Sequence, residues 1–147
     1  MIPTMTTFFE PTPEFLTWFT NYANRPFVIE CGAGQCEFAK KLISNGIRLL
    51  AVEPYPSDEL ARECYNFLYP TTIHECGIIK STPALVFAAR PNHSGWFQDL
   101  IDMVHPDSEL LYIGLEKNLV IDVEHGDPVQ IYTGAGQDGE NVWSIKR

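Results

Sequence analysis

Basic residues are scarce in this 147-residue chain: 10 Lys plus Arg stand against 19 Asp plus Glu, a formal charge of −9 with the histidines neutral, and the ten are scattered. Non-specific binding to nucleic acid depends on neutralising phosphates with Lys and Arg, so no direct contact with DNA or RNA is expected. An anionic membrane surface is disfavoured for the same reason. Long apolar runs are missing as well. Nothing approaches the ~20 residues that cross a bilayer, and MIPTMTTFFEPTPEF lacks the basic and apolar regions of a secretory leader, so a cytoplasmic protein with no membrane contact is expected. Cysteine is present without a pattern. Cys31, Cys36, Cys64 and Cys76 form no CxxC pair, and His74, His93, His105 and His125 lie far apart. Neither a zinc framework nor a disulfide scaffold is indicated, no metal is expected, and Cys31, Cys64 and Cys76 read as small core residues.

What remains is an ordinary globular composition, 45% hydrophobic and 20% charged, at a length that suits one domain over 1–147. Three regions divide it: an N-terminal helix region (1–25), an α/β core (26–114) and a β-rich C-terminal edge (115–147). Phe15, Trp18, Phe19 and Tyr22 recur at helical spacing, so a helix is predicted over 13–24, with Thr12 as N-cap and Pro13 in its first turn. PFVIEC (26–31) reads as a buried parallel strand. A helix over 35–44 turns Phe38, Ala39, Leu42 and Ile43 inward, and IRLLAVE (47–53) is the second strand. Ser57 caps a third helix whose inner residues are Leu60, Ala61, Cys64, Tyr65 and Leu68. Strands follow over 71–75 and 84–88, then a helix from Ser94 to His105, then a strand over 109–114. LVIDV, VQIYT and VWSIK are read as antiparallel strands, and GAGQDGEN (134–141) as a mobile turn. The expected architecture is therefore a three-layer, Rossmann-like α/β sandwich, its sheet mainly parallel with antiparallel strands at the C-terminal edge.

The chemistry is concentrated in VIECGAGQCEFAKKLISNGIRLLAVE. A strand ends at Glu30, Gly32 and Gly34 let the backbone turn tightly beside a ligand, and the next helix aims its N-terminus at that point. Glu53 closes the following strand 19 residues after Gly34, close to the ~20-residue offset at which an acid meets a ribose diol. The dinucleotide pattern GxGxxG would need glycine where Glu37 stands, and a negative charge there opposes a pyrophosphate. NAD, FAD and an oxidoreductase fragment are disfavoured accordingly.

Glu30-Cys31-Gly32-Ala33-Gly34-Gln35-Cys36 resembles motif I of the class I methyltransferases that use S-adenosylmethionine (SAM), an acid followed by GxGxG, with Cys36 in place of the third glycine. That substitution bears on how closely the helix packs. The resemblance spans about residues 27–114. It implies SAM as cofactor, with Glu30 facing the methionyl amine, Gly32, Ala33 and Gly34 lining the cofactor, Glu53 on the ribose, and Glu75-Cys76 after the third strand on the adenine.

It also implies an acceptor site in the loop after the fourth strand, where Arg90, Asn92 and Trp96 would contact the second substrate and His93 would remove its proton. The alternative for this loop is structural, with Asn92 or Ser94 capping the helix and Trp96 packed as core. The loop does not match the Asn-Pro-Pro-Tyr or Asp-Pro-Pro-Tyr tetrad of amino-group DNA methyltransferases. The function expected is a small methyltransferase acting on a small molecule or a protein side chain. Its acceptor site would be shallow or completed by another subunit, in a homo-oligomer or with a partner chain. The competing reading is a non-catalytic methyltransferase-like module or partner subunit, whose exposed aromatics would include Phe8, Phe9, Trp18 or Trp143.

Overall fold

Thr12 and Pro13 open the first helix as predicted, the Thr12 hydroxyl accepting the Phe15 N–H at 3.2 Å. The structure is a computed structural model that describes residues 8–91, 95–122, 124 and 126–147. In chain order the elements are α1 (Pro13–Tyr22), β1 (Val28–Cys31), α2 (Glu37–Ser44), β2 (Leu50–Val52), α3 (Asp58–Glu63), β3 (Leu68–Tyr69), α4 (Gly77–Ser81), β4 (Leu85–Ala89), α5 (Trp96–Met103), β5 (Glu109–Gly114), β6 (Asp127–Tyr132) and β7 (Asn141–Lys146). The strands form one sheet in the order β3-β2-β1-β4-β5-β7-β6. β1 to β5 run parallel, and β7 pairs antiparallel with both β5 and β6. The expected α/β fold with an antiparallel C-terminal edge is therefore what the chain adopts. Strand order reverses between β1 and β4, the place in an open α/β sheet where ligands gather at the strands' carboxyl ends.

Alternation along the strands separates two cores. Val28, Leu85, Phe87, Leu111, Ile113 and Val142 face α1 and α2, where they meet Phe15, Phe19, Phe38 and Leu42. The opposite residues, among them Ile29, Val86, Ala88, Leu110 and Tyr112, meet Ile79 of α4 and Phe97, Leu100 and Ile101 of α5. The first core is dominated by rings, with Phe19 and Phe38 each edge-on to Phe87 at 5.1 and 5.6 Å between centroids. Such pairs add about 0.5–1.5 kcal/mol beyond the area they bury. All four cysteines are buried and free.

Several local expectations give way. The third strand is Leu68–Tyr69, not 71–75. Pro70 brings no N–H to the ladder, and Thr72 instead caps a short 3-10 turn at Ile73–Glu75 by accepting the Glu75 N–H. α3 stops at Glu63, so Tyr65 is exposed rather than inward-facing. α4 was not foreseen, because five residues do not establish a period. The described part of LVIDV, Leu119–Asp122, is not a strand: Leu119 and Ile121 pack against the sheet while the Asp122 N–H donates to Gln98 Oε1 at 2.6 Å.

GAGQDGEN is held rather than mobile. Ala135 is fully buried, and its carbonyl accepts the Thr12 N–H at 2.8 Å. The Gln137 N–H donates to the Glu10 carbonyl at 2.8 Å, and Pro11 bridges Gly136. The loop between β6 and β7 is thus stitched to the segment that precedes α1.

Candidate functional site

The turn after β1 is bent by three left-handed residues, Gly32 (φ 67°), Gly34 (φ 57°) and Cys36 (φ 59°). The departure from glycine at Cys36 therefore falls on the backbone, in a region that costs non-glycine residues about 1–2 kcal/mol. The Cys36 side chain is fully buried among Ala39, Ala51, Leu60 and Cys64. The Gly32 and Ala33 N–H groups donate to the Val52 carbonyl at 2.8 and 3.2 Å, tying the turn to the end of β2.

Glu53 follows directly. One of its carboxylate oxygens accepts the Gly34 N–H at 2.8 Å and the other the Tyr55 N–H at 3.2 Å. The sequence-predicted ribose acid and the glycine turn are thus in contact, with the carboxylate on the turn's backbone donor.

Glu30 lies under the turn. It is a strand residue paired with Ala51 and Phe87, only 2% exposed, and its Oε1 has no hydrogen-bond partner among the described residues. Burial, and then the charge of Glu53, pushes its carboxyl up to about 8. A cleft of about 160 Å³ opens beside it, lined by Gly32, Ala33, Gly34, Arg90 and, from the N-terminal segment, Phe8 and Phe9. Phe9 and Phe38 wall the carboxyl with rings 5.0 Å apart. The two phenylalanines of the N-terminal segment were not foreseen as part of this site. Nothing in FFEP marks it, since the contact depends on the loop between β6 and β7.

The acceptor-side residues divide. Asn92 and His93 lie outside the described residues. Trp96, the first residue of α5, lays its indole against the turn: a Cβ placed on Gly32 would fall 2.9 Å from two of its ring atoms, so glycine is required there for space as well as for φ. Arg90, also left-handed at φ 51°, turns its guanidinium toward the loop between β6 and β7. Its Nε donates to the fully buried Glu140 at 2.5 Å, and its Nη2 pairs with both Glu140 and Asp138. Arg90, expected to contact a substrate, lines the cleft and at the same time anchors a loop, and the acids it binds carried no sequence signal.

Glu75 and Cys76 stand apart from the cleft. Glu75 is exposed at the end of its 3-10 turn, and Cys76 is buried beside Cys31 on the opposite face of the sheet. Burial first, then Cys76 and Glu30, holds the Cys31 thiol well above its usual range, and Cys36 is pushed up to about 12, chiefly by burial. Neither is an activated thiol. Among the described residues no group of three or more His, Cys, Asp or Glu is placed to hold a metal ion, and no helix is long and apolar enough to cross a membrane.

Of the four aromatics a partner surface would have used, Phe9 and Trp143 are buried and Trp18 is stacked on Tyr22 at 4.9 Å, which leaves Phe8 as the exposed one.

No protein-family model matches the chain, and no curated protein matches it in sequence. Solved structures do match it in shape. The crystal structure of the 23S rRNA methyltransferase ErmE superposes with a TM-score of 0.62 at 12% identity, over 95% of this chain and 69% of that one. A mutant of MtNAS in complex with SAM gives 0.64 at 15% identity, over 92% and 62%. The Burkholderia thailandensis 1,6-didemethyltoxoflavin-N1-methyltransferase, with 1,6-didemethyltoxoflavin and S-adenosylhomocysteine bound, gives 0.51 at 14%, over 92% and 77%. With its strand order, its antiparallel edge and its glycine turn at the switch point, this chain has the Rossmann-like fold of the class I SAM-dependent methyltransferases.

Proposed function

We propose that this chain is a small SAM-dependent methyltransferase whose acceptor is a small molecule or a protein side chain. The observation that carries the reading is Glu30, a carboxyl buried at the switch point with one oxygen unpartnered among the described residues, in a cleft whose other charged lining residues are Glu37 and an Arg90 already paired with Asp138 and Glu140. Leaving a buried polar atom unpaired costs about 1–3 kcal/mol, and a cationic amine placed in the cleft would remove that cost. The residues present fit SAM. Glu30 would receive its ammonium, Gly32, Ala33 and Gly34 would lie along its methionyl part, and Glu53 would turn its carboxylate from the Gly34 N–H to the ribose hydroxyls. Glu75, exposed at the end of its 3-10 turn, would reach the adenine, while Cys76, fully buried, would support that turn from within.

When bound, SAM supplies a methyl group already activated by its sulfonium, so the protein's share is alignment and removal of the acceptor's proton. His93 is assigned that proton, with Asn92 beside it on the acceptor. Trp96 would wall the donor against the glycine turn, and Arg90 would fix the neighbouring loop.

Calorimetry with SAM, S-adenosylhomocysteine and NAD tests the cofactor. Both S-adenosyl ligands are expected to bind and NAD not, with Glu53→Ala weakening SAM by about 1.5–3 kcal/mol, the worth of hydrogen bonds to a charged group. A folded chain that binds neither S-adenosyl ligand would overturn the reading. A labelled-methyl screen then tests transfer, and His93→Ala is expected to lose turnover by about 10²-fold or more while keeping its SAM affinity.

A further inference from the structure

A second cavity, of about 240 Å³, lies beyond Trp96 at the carboxyl ends of β4 and β5. Phe97 and Tyr112 form its inner wall with rings edge-on at 5.5 Å, Pro91 and Leu119 close its sides, and Val120, 77% exposed, stands at its rim. Trp96 lies edge-on to Phe97 at 6.3 Å between centroids, so one aromatic run leads from the glycine turn to this cavity.

None of the described residues lining it is charged. The Tyr112 phenol donates to the Leu115 carbonyl at 3.0 Å and is pushed up to about 12, first by burial and then by Glu140, so it stays protonated. Gln98 is engaged with the Asp122 N–H and with Asp102. The Asn118 side-chain amide has no hydrogen bond among the described residues, and it offers the cavity both a donor and an acceptor.

We infer that this cavity takes the methyl acceptor and that the acceptor is a neutral aromatic or heteroaromatic ring of one or two fused rings, held edge-on by Phe97 and Tyr112 and read by Asn118. The inference rests on the methyltransferase reading for the word acceptor, and on the cavity alone for the ligand class. An apolar cavity of ~150 Å³ takes up benzene, and this one is larger, with room for ring substituents. A charged acceptor would have to shed its water against described walls that carry no charge, which disfavours carboxylates and phosphates. An extended protein or nucleic-acid segment would present its backbone to the same walls, where Asn118 is the one lining side-chain amide not already engaged among the described residues.

The test uses phenol, benzoate and benzylamine, three single rings of similar size and different charge, titrated into the full-length chain with and without saturating S-adenosylhomocysteine and followed by NMR. Phenol is expected to bind with or without the nucleoside, and benzoate and benzylamine about tenfold or more weakly. Leu119→Trp fills the cavity and should abolish phenol binding while S-adenosylhomocysteine affinity stays at the wild-type value, which shows the variant folded. Val120→Lys, at the exposed rim and harmless to the core, should raise benzoate relative to phenol. Equal binding of all three rings, no binding of phenol, or phenol binding that survives Leu119→Trp would overturn the inference. Failure of S-adenosylhomocysteine to bind while phenol does would overturn the cofactor reading and leave the ring site standing.

Discussion

Glu30 joins the glycine turn to the sheet, and its carboxyl is raised to about 8 because burial penalises its charge and Glu53 lies nearby. In the unfolded chain a glutamate ionises near ~4.3. Between those two values the folded chain keeps a proton that the unfolded chain has released, so stability declines as pH rises through that window. The separation is worth about 1.4 kcal/mol per pH unit. Glu30→Gln should remove this slope, so the variant's melting temperature is expected to overtake that of the wild type as pH approaches 8; parallel curves would show that Glu30 is ionised throughout. The ligand reverses the preference, since an ammonium calls for the carboxylate. SAM binding near neutral pH should release a proton, visible as a binding enthalpy that changes with the buffer's ionisation enthalpy, and its affinity should rise with pH until about 8. The acid before GxG was legible in the sequence, as was the spacing of Glu53 from Gly34, though not the hydrogen bond between them. The ring wall around Glu30 was not, because Phe9 and Phe38 come together there only through tertiary contacts. Cys36 shows the same limit: its identity was readable as a departure, but its left-handed backbone was not.

At the scale of elements, the strongest local arrangement is the triangle of Arg90, Asp138 and Glu140, which fixes the loop between β6 and β7 to the end of β4. That loop in turn holds residues 10–12 through backbone hydrogen bonds at Thr12 and Gln137. Removing one partner of a buried ion pair strands the other and costs about 3–5 kcal/mol. Glu140→Ala leaves Arg90 with Asp138, so it is expected to lower stability by at most about that amount in urea unfolding. The loss should carry faster amide exchange at Thr12 and Gln137, and exchange unchanged there would mean that the loop is held independently of Arg90. Long periodic elements were read correctly, α1 and β5 best of all, since β5 spans Glu109–Gly114 as expected. The misreadings share a cause. Thr71, Thr72 and Ile73 have strand-forming side chains, but Pro70 and the Thr72 cap decide their backbone. The glycine-rich loop reads as mobile from composition alone because the contacts that hold it come from the other end of the chain, at 10–12.

Over the whole molecule, alternation of strands and helices sufficed for the parallel sheet, and the loss of helical period after it for the antiparallel edge, while the strand order had to come from the structure. The charge of −9 acts at the same scale. It has no part in the fold, but it sets a long-range field around a cleft that already contains Glu30 and Glu37. SAM carries a sulfonium and an ammonium against one carboxylate, whereas S-adenosylhomocysteine lacks the sulfonium, so only SAM has a net charge for that field to attract. Salt shortens the reach of the field from about 30 Å at 0.01 M to about 8 Å at 0.15 M. Calorimetry across that range is therefore expected to show SAM weakening by a few-fold while S-adenosylhomocysteine changes little. The Glu30→Gln variant should keep most of the salt dependence although its SAM affinity is lower, because it removes one carboxyl from a molecule with 19 acidic residues. If instead the salt effect vanished with Glu30, the attraction would be local to the cleft, and the acidic surface would have no part in recruiting the cofactor.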